Sequence, residues 1–256
     1  MTKAKDVSVR YWLPEDLAKN APILFVLPGI DRDAHTYRDI WVPYARQERA
    51  LLLVPQFSLQ DYPGSRGYNL GNMFDAKGRP IPPQDWSFTR IEQLFDQVRE
   101  EIGGTQTGYL LYGHSAGAQF VHRFVLFMPE ARIERAVSAN AGWYTFPDFN
   151  TPFPYGLSDT RLTDADLATA FARDYSILLG TQDTDATHPT LRTTPQAEQQ
   201  GPNRYARGMA FFEAARAKAA DLGVPFRWHV STVPGATHSN AEMAGPAAHA
   251  LFGVTG

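Results

Sequence analysis

The residue of this chain best suited to covalent chemistry is a serine that lies between two glycines. Residues 113–117 read Gly-His-Ser-Ala-Gly, which places Ser115 between two glycines. The run 108–112 before them favours a buried strand, and residues 118–128 favour a helix. A serine on such a strand-to-helix turn is strained, and glycines are needed nearby because side chains there would collide with the neighbouring strand or helix. The pattern predicts that Ser115 is a nucleophile.

A serine hydroxyl is a weak nucleophile, so it needs a histidine as general base and an acid that orients the histidine. On such a scaffold the partners follow the serine in the order acid, then histidine, on loops after later strands. His238 fits, because it lies in a small-residue loop directly after the last predicted strand. His114 is the serine's own neighbour and is expected to point away from it. His188, which precedes a proline near the acid loop, is the remaining rival.

Two carboxylates compete for the role of the acid. Asp183 and Asp185 both follow the predicted strand 175–179. The Gly-x-x-Asp spacing from Gly180 favours Asp183, because the glycine allows a turn that brings this carboxylate back toward the histidine. Asp185 remains the alternative, and both could simply cap the turn. A metal site built from Asp183, Asp185 and His188 is a weaker interpretation, since no further ligand cluster supports it, and no metal is expected.

Two backbone N–H groups are needed to stabilise the oxyanion that forms when a serine attacks a carbonyl. One is expected from Ala116, directly after the nucleophile. The other is expected from Ile30, in the loop after the strand 23–27. Gly29 lets this loop turn inward, and the proline before it has no N–H to donate.

Aromatic residues near the strand ends are candidates for the substrate pocket. Trp143 and Tyr144 follow the predicted strand 133–139 and are expected to pack against an apolar acyl chain. Further aromatics lie in the two long irregular segments and are expected chiefly to anchor these segments to the core; they are Phe57, Tyr62, Phe146, Phe149 and Phe153.

The elements that must position these residues alternate along the chain. Strands are predicted at 7–13, 23–27, 51–54, 108–112, 133–139, 175–179 and 226–233. Helices are predicted around 37–45, from a cap at Ser87 to 102, at 118–128, 204–222 and 241–252, with a short helix opened by Thr163 and Asp166. This alternation predicts an α/β fold with a mostly parallel sheet covered on both faces. The irregular segments 56–86 and 142–160 are too short for a cap domain, so one domain over 1–256 is expected.

Composition narrows the class of protein. The 256 residues are 43% hydrophobic and 20% charged, with a net charge of −3 and no basic run, so neither nucleic acid nor an anionic membrane is expected as a partner. The absence of cysteine excludes disulfides and thiolate catalysis. Apolar runs are far shorter than the ~20 residues that cross a bilayer. Residues 1–6 lack the apolar stretch of a signal peptide, which favours the cytoplasm, with a secreted or periplasmic protein without its leader as the alternative.

With Ser115, Asp183 and His238 in this order, the chain resembles the α/β-hydrolase superfamily over nearly its whole length. The stretches 32–39, 201–208 and 233–238 resemble bacterial esterases related to polyhydroxyalkanoate depolymerases. Many of these relatives carry His-Gly at the oxyanion loop, where this chain has proline and glycine, so any role of that histidine is lost. The resemblance implies the α/β-hydrolase fold without a large cap, and esterase or depolymerase activity without a cofactor on a small-molecule or polymeric ester.

Two other functions compete with the esterase. A peptidase or amidase would use the same Ser-His-Asp arrangement, but no large extra domain or charged side-chain pocket is visible in the sequence to support it. A catalytically silent binding protein on this fold would not need all three residue types in order.

Overall fold

Seven strands form one sheet in the computed structural model, which describes residues 7–253. In chain order they are β1 (Ser8–Trp12), β2 (Ile23–Leu27), β3 (Leu51–Gln56), β4 (Tyr109–His114), β5 (Ile133–Ala139), β6 (Tyr175–Gly180) and β7 (Trp228–Val233). The order across the sheet is β1-β3-β2-β4-β5-β6-β7. Only the edge strand β1 is antiparallel to its neighbour, so the predicted mostly parallel sheet is confirmed.

Helices cover both faces of the sheet. They are α1 (Ala34–Gln47), α2 (Gly64–Gly67), α3 (Thr89–Glu101), α4 (Ala116–Phe127), α5 (Asp164–Phe171), α6 (Pro195–Glu198), α7 (Arg204–Leu222) and α8 (Asn240–Phe252). A single 3₁₀ turn, Pro83–Asp85, precedes α3. Helices α1 and α8 pack on one face, whereas α3, α4, α5 and α7 contribute to the core of the other.

The solid apolar strands are explained by burial on both faces. In β2, Phe25 belongs to the core under α4, while Leu24 and Val26 belong to the core under α1 and α8. All three are completely buried. Successive side chains of a strand point to opposite faces, so a strand covered by helices on both sides needs apolar residues at every position.

Two local predictions are wrong. Strand β3 runs to Gln56 and does not end before Pro55, as the predicted bounds 51–54 imply. The proline is tolerated because it lies beyond the part of β3 that pairs with β2 and is aligned only with Val9 of the edge strand. Ser87 does not cap α3. Its hydroxyl donates to the carbonyl oxygen of Tyr68, and the helix starts two residues later without a side-chain cap. The predicted capping box of α5, by contrast, is confirmed.

The ends of the strands determine where a site can form. The carboxyl ends of β4, β6 and β7 lie on the same edge of the parallel sheet, and the loops after them carry the residues singled out above. Within residues 7–253, no helix is both long and apolar enough to cross a membrane. Residues 1–6, on which the expectation about the compartment rests, lie outside the described part of the chain.

Candidate active site

The turn between β4 and α4 has the strained geometry that the sequence predicts. Ser115 has φ 57° and ψ −114°, in a region that non-glycine residues rarely occupy. A Cβ on Gly113 would lie 2.2 Å from the carbonyl oxygen of Gly117, and a Cβ on Gly117 would lie 2.0 Å from that of Leu27. Both glycines are therefore required by the close approach of backbone, and Ser115 is half-buried at the sheet edge.

The structure joins the three predicted side chains by consecutive hydrogen bonds. Nε2 of His238 lies 3.0 Å from Oγ of Ser115, and its Nδ1 lies 2.8 Å from Oδ2 of Asp183. Because Nδ1 faces a carboxylate, it carries the proton, and Nε2 is left to accept a hydrogen bond from the serine hydroxyl. The carboxylate is buried, with 2% of its side chain exposed. This arrangement has the connectivity of a nucleophile, a base and an orienting acid.

Asp185 lies elsewhere. Its carboxylate is exposed and accepts hydrogen bonds from the backbone N–H and hydroxyl of Thr187. These bonds hold the pKa of Asp185 below its usual value, with the bond from the Thr187 side chain as the largest cause. Asp185 thus caps a turn, and it makes no hydrogen bond to His238.

The expected turn after β6 is present, since the N–H of Asp183 donates to the carbonyl of Gly180 at 3.1 Å, and the glycine is also needed for a second reason. A Cβ on Gly180 would lie 2.5 Å from the carbonyl oxygen of Ala236, in the loop that carries the histidine. Gly180 is therefore needed because the acid loop and the histidine loop touch. Asn140, directly after β5, ties the same two loops together. Its amide oxygen accepts from Gly180 N–H at 2.8 Å, and its amide nitrogen donates to the carbonyl of Thr237 at 2.9 Å.

Two further histidines surround His238. The ring of His114 lies with its centroid 4.9 Å from that of His238, and its Nδ1 lies 2.9 Å from the hydroxyl of Tyr37. The ring of His188 lies edge-on to His238 at 5.6 Å. The sequence predicts only that His114 points away from Ser115 and does not indicate that its ring packs against the histidine that contacts this serine.

Both neighbouring rings are uncharged near neutral pH. Burial lowers the pKa of His114 well below its usual value, and the nearby His238 and Arg204 lower it further. Burial also lowers the pKa of His188, followed by the charge of Arg204. Sequence reasoning missed Arg204, which lies 3.2 Å from Asp183 in a buried ion pair.

The loop expected to stabilise the oxyanion lies against the serine. A Cβ on Gly29 would be 3.7 Å from Cβ of Ser115 and 3.0 Å from the Tyr37 hydroxyl oxygen. The Ile30 side chain is 52% exposed. On the other side, Ala116 is the first residue of α4, where backbone N–H groups have no partner within the helix. The roles of Ile30 and Ala116 as donors remain predictions.

The two predicted pocket residues have different surroundings. Trp143 contacts two guanidinium groups, that of Arg123 at 4.1 Å from the ring centroid and that of Arg192 at 4.6 Å. Tyr144 is completely buried and stacks on Phe211, with ring centroids 4.5 Å apart. Tyr144 therefore has no exposed surface in this structure, and its expected pocket role stays a prediction. The place of Trp143 in a pocket remains a prediction.

No family model matches the chain, and a search of curated proteins gives no match. Among solved structures, poly(aspartic acid) hydrolase-1 from Sphingomonas sp. KT-1 is 44% identical, with a TM-score of 0.95 over 97% of this chain and 94% of that one. LpqC, a poly(3-hydroxybutyrate) depolymerase from Bordetella parapertussis, is 35% identical, with a TM-score of 0.91 over 95% and 84%. An acetyl xylan esterase from Aspergillus awamori, at 14% identity and a TM-score of 0.57 over 97% and 94%, shares the fold alone.

Proposed function

We propose that this chain, which belongs to the α/β-hydrolase superfamily and to its carboxylic ester hydrolases, cleaves esters through a covalent acyl-enzyme at Ser115. The observation that carries the proposal is the unbroken line of hydrogen bonds from Ser115 through His238 to Asp183. A serine on a strained turn, a histidine able to accept its proton and a buried carboxylate behind the histidine are together the requirements for nucleophilic catalysis by serine.

In the first half of the reaction, Ser115 Oγ attacks the ester carbonyl carbon while His238 Nε2 takes the hydroxyl proton. Asp183 holds the imidazole in the tautomer that can accept, and it stabilises the positive charge that forms on the ring. The tetrahedral intermediate then collapses, and His238 returns the proton to the departing alcohol. In the second half a water molecule attacks the acyl-enzyme by the same route, which releases the acid and restores Ser115.

The oxyanion of each intermediate is proposed to bind the N–H groups of Ile30 and Ala116. Support comes from the contact of Gly29 with Ser115 on one side and from the start of α4 on the other. Each such donor contributes about 3 kcal/mol to stabilising the transition state. Trp143, which is 3% exposed, is proposed to form the floor of the acyl site, since contacts with two guanidinium groups hold the indole in place.

Hydrolysis of an amide in an acidic polymer is the second candidate function. The 44% identical relative is a poly(aspartic acid) hydrolase, and poly(aspartic acid) is linked by amide bonds. A specific feature of this chain also favours it. Arg192 is half-buried, its Nε donates to the hydroxyl of Tyr155 at 2.7 Å, and within residues 7–253 it forms no ion pair. An unpaired cation beside Trp143 is suited to a carboxylate on a substrate.

Labelling with a fluorophosphonate tests whether the chain is a serine hydrolase at all. We expect intact protein to be labelled stoichiometrically, the label to map to Ser115, and the Ser115→Ala variant to stay unlabelled. Folded wild-type protein that resists the probe would favour a binding protein on this fold. A cooperative thermal melt of the wild-type protein serves as the control that it is folded.

A matched panel of nitrophenyl esters and nitroanilides then separates the two enzymatic candidates. We expect esters to be turned over much faster than anilides with the same acyl group. Anilides cleaved as fast as matched esters, or poly(aspartic acid) cleaved faster than any ester, would reverse the order of the two candidates. Short and long acyl chains together with an insoluble polyester define the substrate further.

A further inference from the structure

A buried arginine in the first turn of α7 contacts the proposed catalytic acid. The Arg204 side chain is 2% exposed, and its Nη1 lies 3.2 Å from Oδ1 of Asp183. The other carboxylate oxygen, Oδ2, faces Nδ1 of His238. Each oxygen of Asp183 is thus held by a different partner, a cation on one side and the imidazole on the other.

The same guanidinium fixes the segment that follows the acid. Its Nη2 donates to Oγ1 of Thr190 at 2.9 Å and to Nδ1 of His188 at 3.2 Å. The backbone N–H of Thr190 donates to that ring nitrogen as well. Arginine has donors only, so Nδ1 of His188 must be an acceptor and the ring is neutral. Arg204 therefore also holds the ring that packs edge-on against His238.

The backbone of α7 places Arg204 where it can make these contacts. Asn203 caps the helix by accepting from the N–H of Ala206 at 2.9 Å. The N–H of Tyr205 donates to the backbone carbonyl of Asp183 at 3.3 Å. The first turn of α7 and the acid loop are thus joined through both backbone and side chain. A buried ion pair needs such supporting bonds, because removing two charges from water is costly.

We propose that Arg204 is a positioning residue of the reaction centre, which fixes Asp183 and His188 around His238 and whose charge keeps His238 able to accept a proton. The inference rests on the proposed function, since it takes His238 as the base. A carboxylate that is not neutralised by a cation stabilises a protonated imidazole more strongly. Without the charge of Arg204, His238 would therefore hold its proton to higher pH and would act as a base over a narrower range.

Within residues 7–253, the titratable side chains in contact with His238 are Asp183, His114 and His188. Arg204 lies behind Asp183, and Tyr37 lies behind His114. From α8, the carboxylate of Glu242 accepts from the N–H and hydroxyl of Thr237, next to His238. The two histidines are neutral near pH 7 because burial lowers the pKa of each. In the described part of the chain, Arg204 is thus the cation that pairs with the carboxylate beside this ring.

The test is the pH profile of kcat/KM for a nitrophenyl ester, whose acid limb reports the base of the free enzyme. We expect Arg204→Gln to lower kcat about 100-fold and to move the acid limb up by about one pH unit. Arg204→Lys keeps the charge but not the paired donors, so we expect it to lower kcat while the acid limb stays at the wild-type position. An unmoved limb in Arg204→Gln would overturn the proposal.

Arg207 offers a matched control on the same helix. It is also buried, but its guanidinium donates to the carbonyls of Gly201 and Gly142 and does not contact Asp183. Arg207→Gln removes a buried cation one turn away, so we expect the acid limb to stay in place whatever happens to stability. A shift as large as that in Arg204→Gln would mean that any loss of charge in α7 moves the profile.

A double mutant keeps the test valid if Arg204→Gln is poorly folded. Asp183→Asn combined with Arg204→Gln leaves no unpaired buried charge. With no carboxylate to act on, the loss of Arg204 should cost less than about threefold in the Asp183→Asn background. An equal cost in both backgrounds would overturn the proposal. Labelling of wild-type Ser115 tests the proposed function separately. If the wild-type enzyme is active and its Arg204 variants keep the wild-type kcat and pH profile, this inference is refuted and the proposed function stands.

Discussion

Replacement of Asp183 by asparagine tests the proposed acid, and Asp185 provides a control two residues away. The neighbours of Asp183 determine how the new amide would lie. Arg204 can only donate, so the amide oxygen would take the place of Oδ1, 3.2 Å from Nη1. The amide NH₂ would then face Nδ1 of His238, which must become an acceptor. The imidazole proton moves to Nε2, and the ring donates to Ser115 instead of accepting from it.

The expected loss follows from this change of tautomer. An asparagine in place of the acid of a Ser-His-Asp triad lowers kcat about 10⁴-fold, which is about 5.5 kcal/mol of barrier. In Asp185→Asn the exposed amide oxygen can still accept from Thr187, and a surface change of this kind alters the rate no more than about twofold. We therefore expect the two variants to differ by more than about 1,000-fold in kcat on a nitrophenyl ester.

The measurement is made well below the melting temperature of each variant, with circular dichroism to show that both are folded. The Arg204 bond to the amide oxygen should keep Asp183→Asn folded, although the lost charge lowers its stability. A larger loss of activity in Asp185→Asn would transfer the acid role to that residue. More than about 1% residual activity in folded Asp183→Asn would show that the amide lies the other way round and that Arg204 does not orient it.

Three further changes probe the scaffold. Burial, and then Arg123, lower the pKa of His122. The unfolded chain therefore binds this proton first, and as pH drops below about 6.5 this histidine lowers the free energy of unfolding by about 1.4 kcal/mol per pH unit. The buried His114 contributes a slope of the same sign, so we expect His122→Gln to reduce the pH dependence measured by urea titrations without abolishing it. Asn140→Gly removes the side-chain hydrogen bonds that join the acid and histidine loops, and glycine adopts φ 53° without strain. We expect denaturant melts to show about 2 kcal/mol of lost stability and kcat to fall about tenfold. Unchanged activity would contradict the proposed link between the two loops. Gly117→Ala should lower the free energy of unfolding by about 3 kcal/mol and abolish most activity. Gly142→Ala should be tolerated, because its new methyl group meets only the end of the Gln119 side chain. Equal melting temperatures for the two variants would refute the steric reasoning.

Features with a local cause could be predicted from the sequence. The all-apolar run of β2 indicates a strand buried on both faces, and the glycines beside Ser115 indicate a turn without room for side chains. Both are properties of a few consecutive residues. The order of Ser115, Asp183 and His238 along the chain also carries information, because parallel strands bring their carboxyl ends to one edge.

Features that depend on contacts between distant segments could not be predicted. Arg204 lies 21 positions from its partner Asp183, and Asn140 joins loops 40 and 97 positions away. Arg204 lies in the stretch 201–208 that resembles esterases, but the resemblance does not indicate its contact with Asp183. Their position is the only signal, since Asn140 directly follows a central strand and Arg204 opens a helix after the acid loop. The complete burial of Tyr144 could not be predicted for the same reason, because it depends on the stacking of this ring on Phe211 of α7.

The choice among three adjacent histidines depends on what each ring nitrogen faces. The sequence leaves His188 as a rival to His238, and the rings of both, with His114, lie in contact. Arg204 donates to Nδ1 of His188, and a hydroxyl pairs with Nδ1 of His114, so neither of these ring nitrogens is hydrogen-bonded to a carboxylate. Only His238 turns its Nδ1 to a carboxylate and its other nitrogen to the serine. A proton taken from Ser115 therefore has one favourable destination, and the neutral neighbours do not repel the charge that forms there.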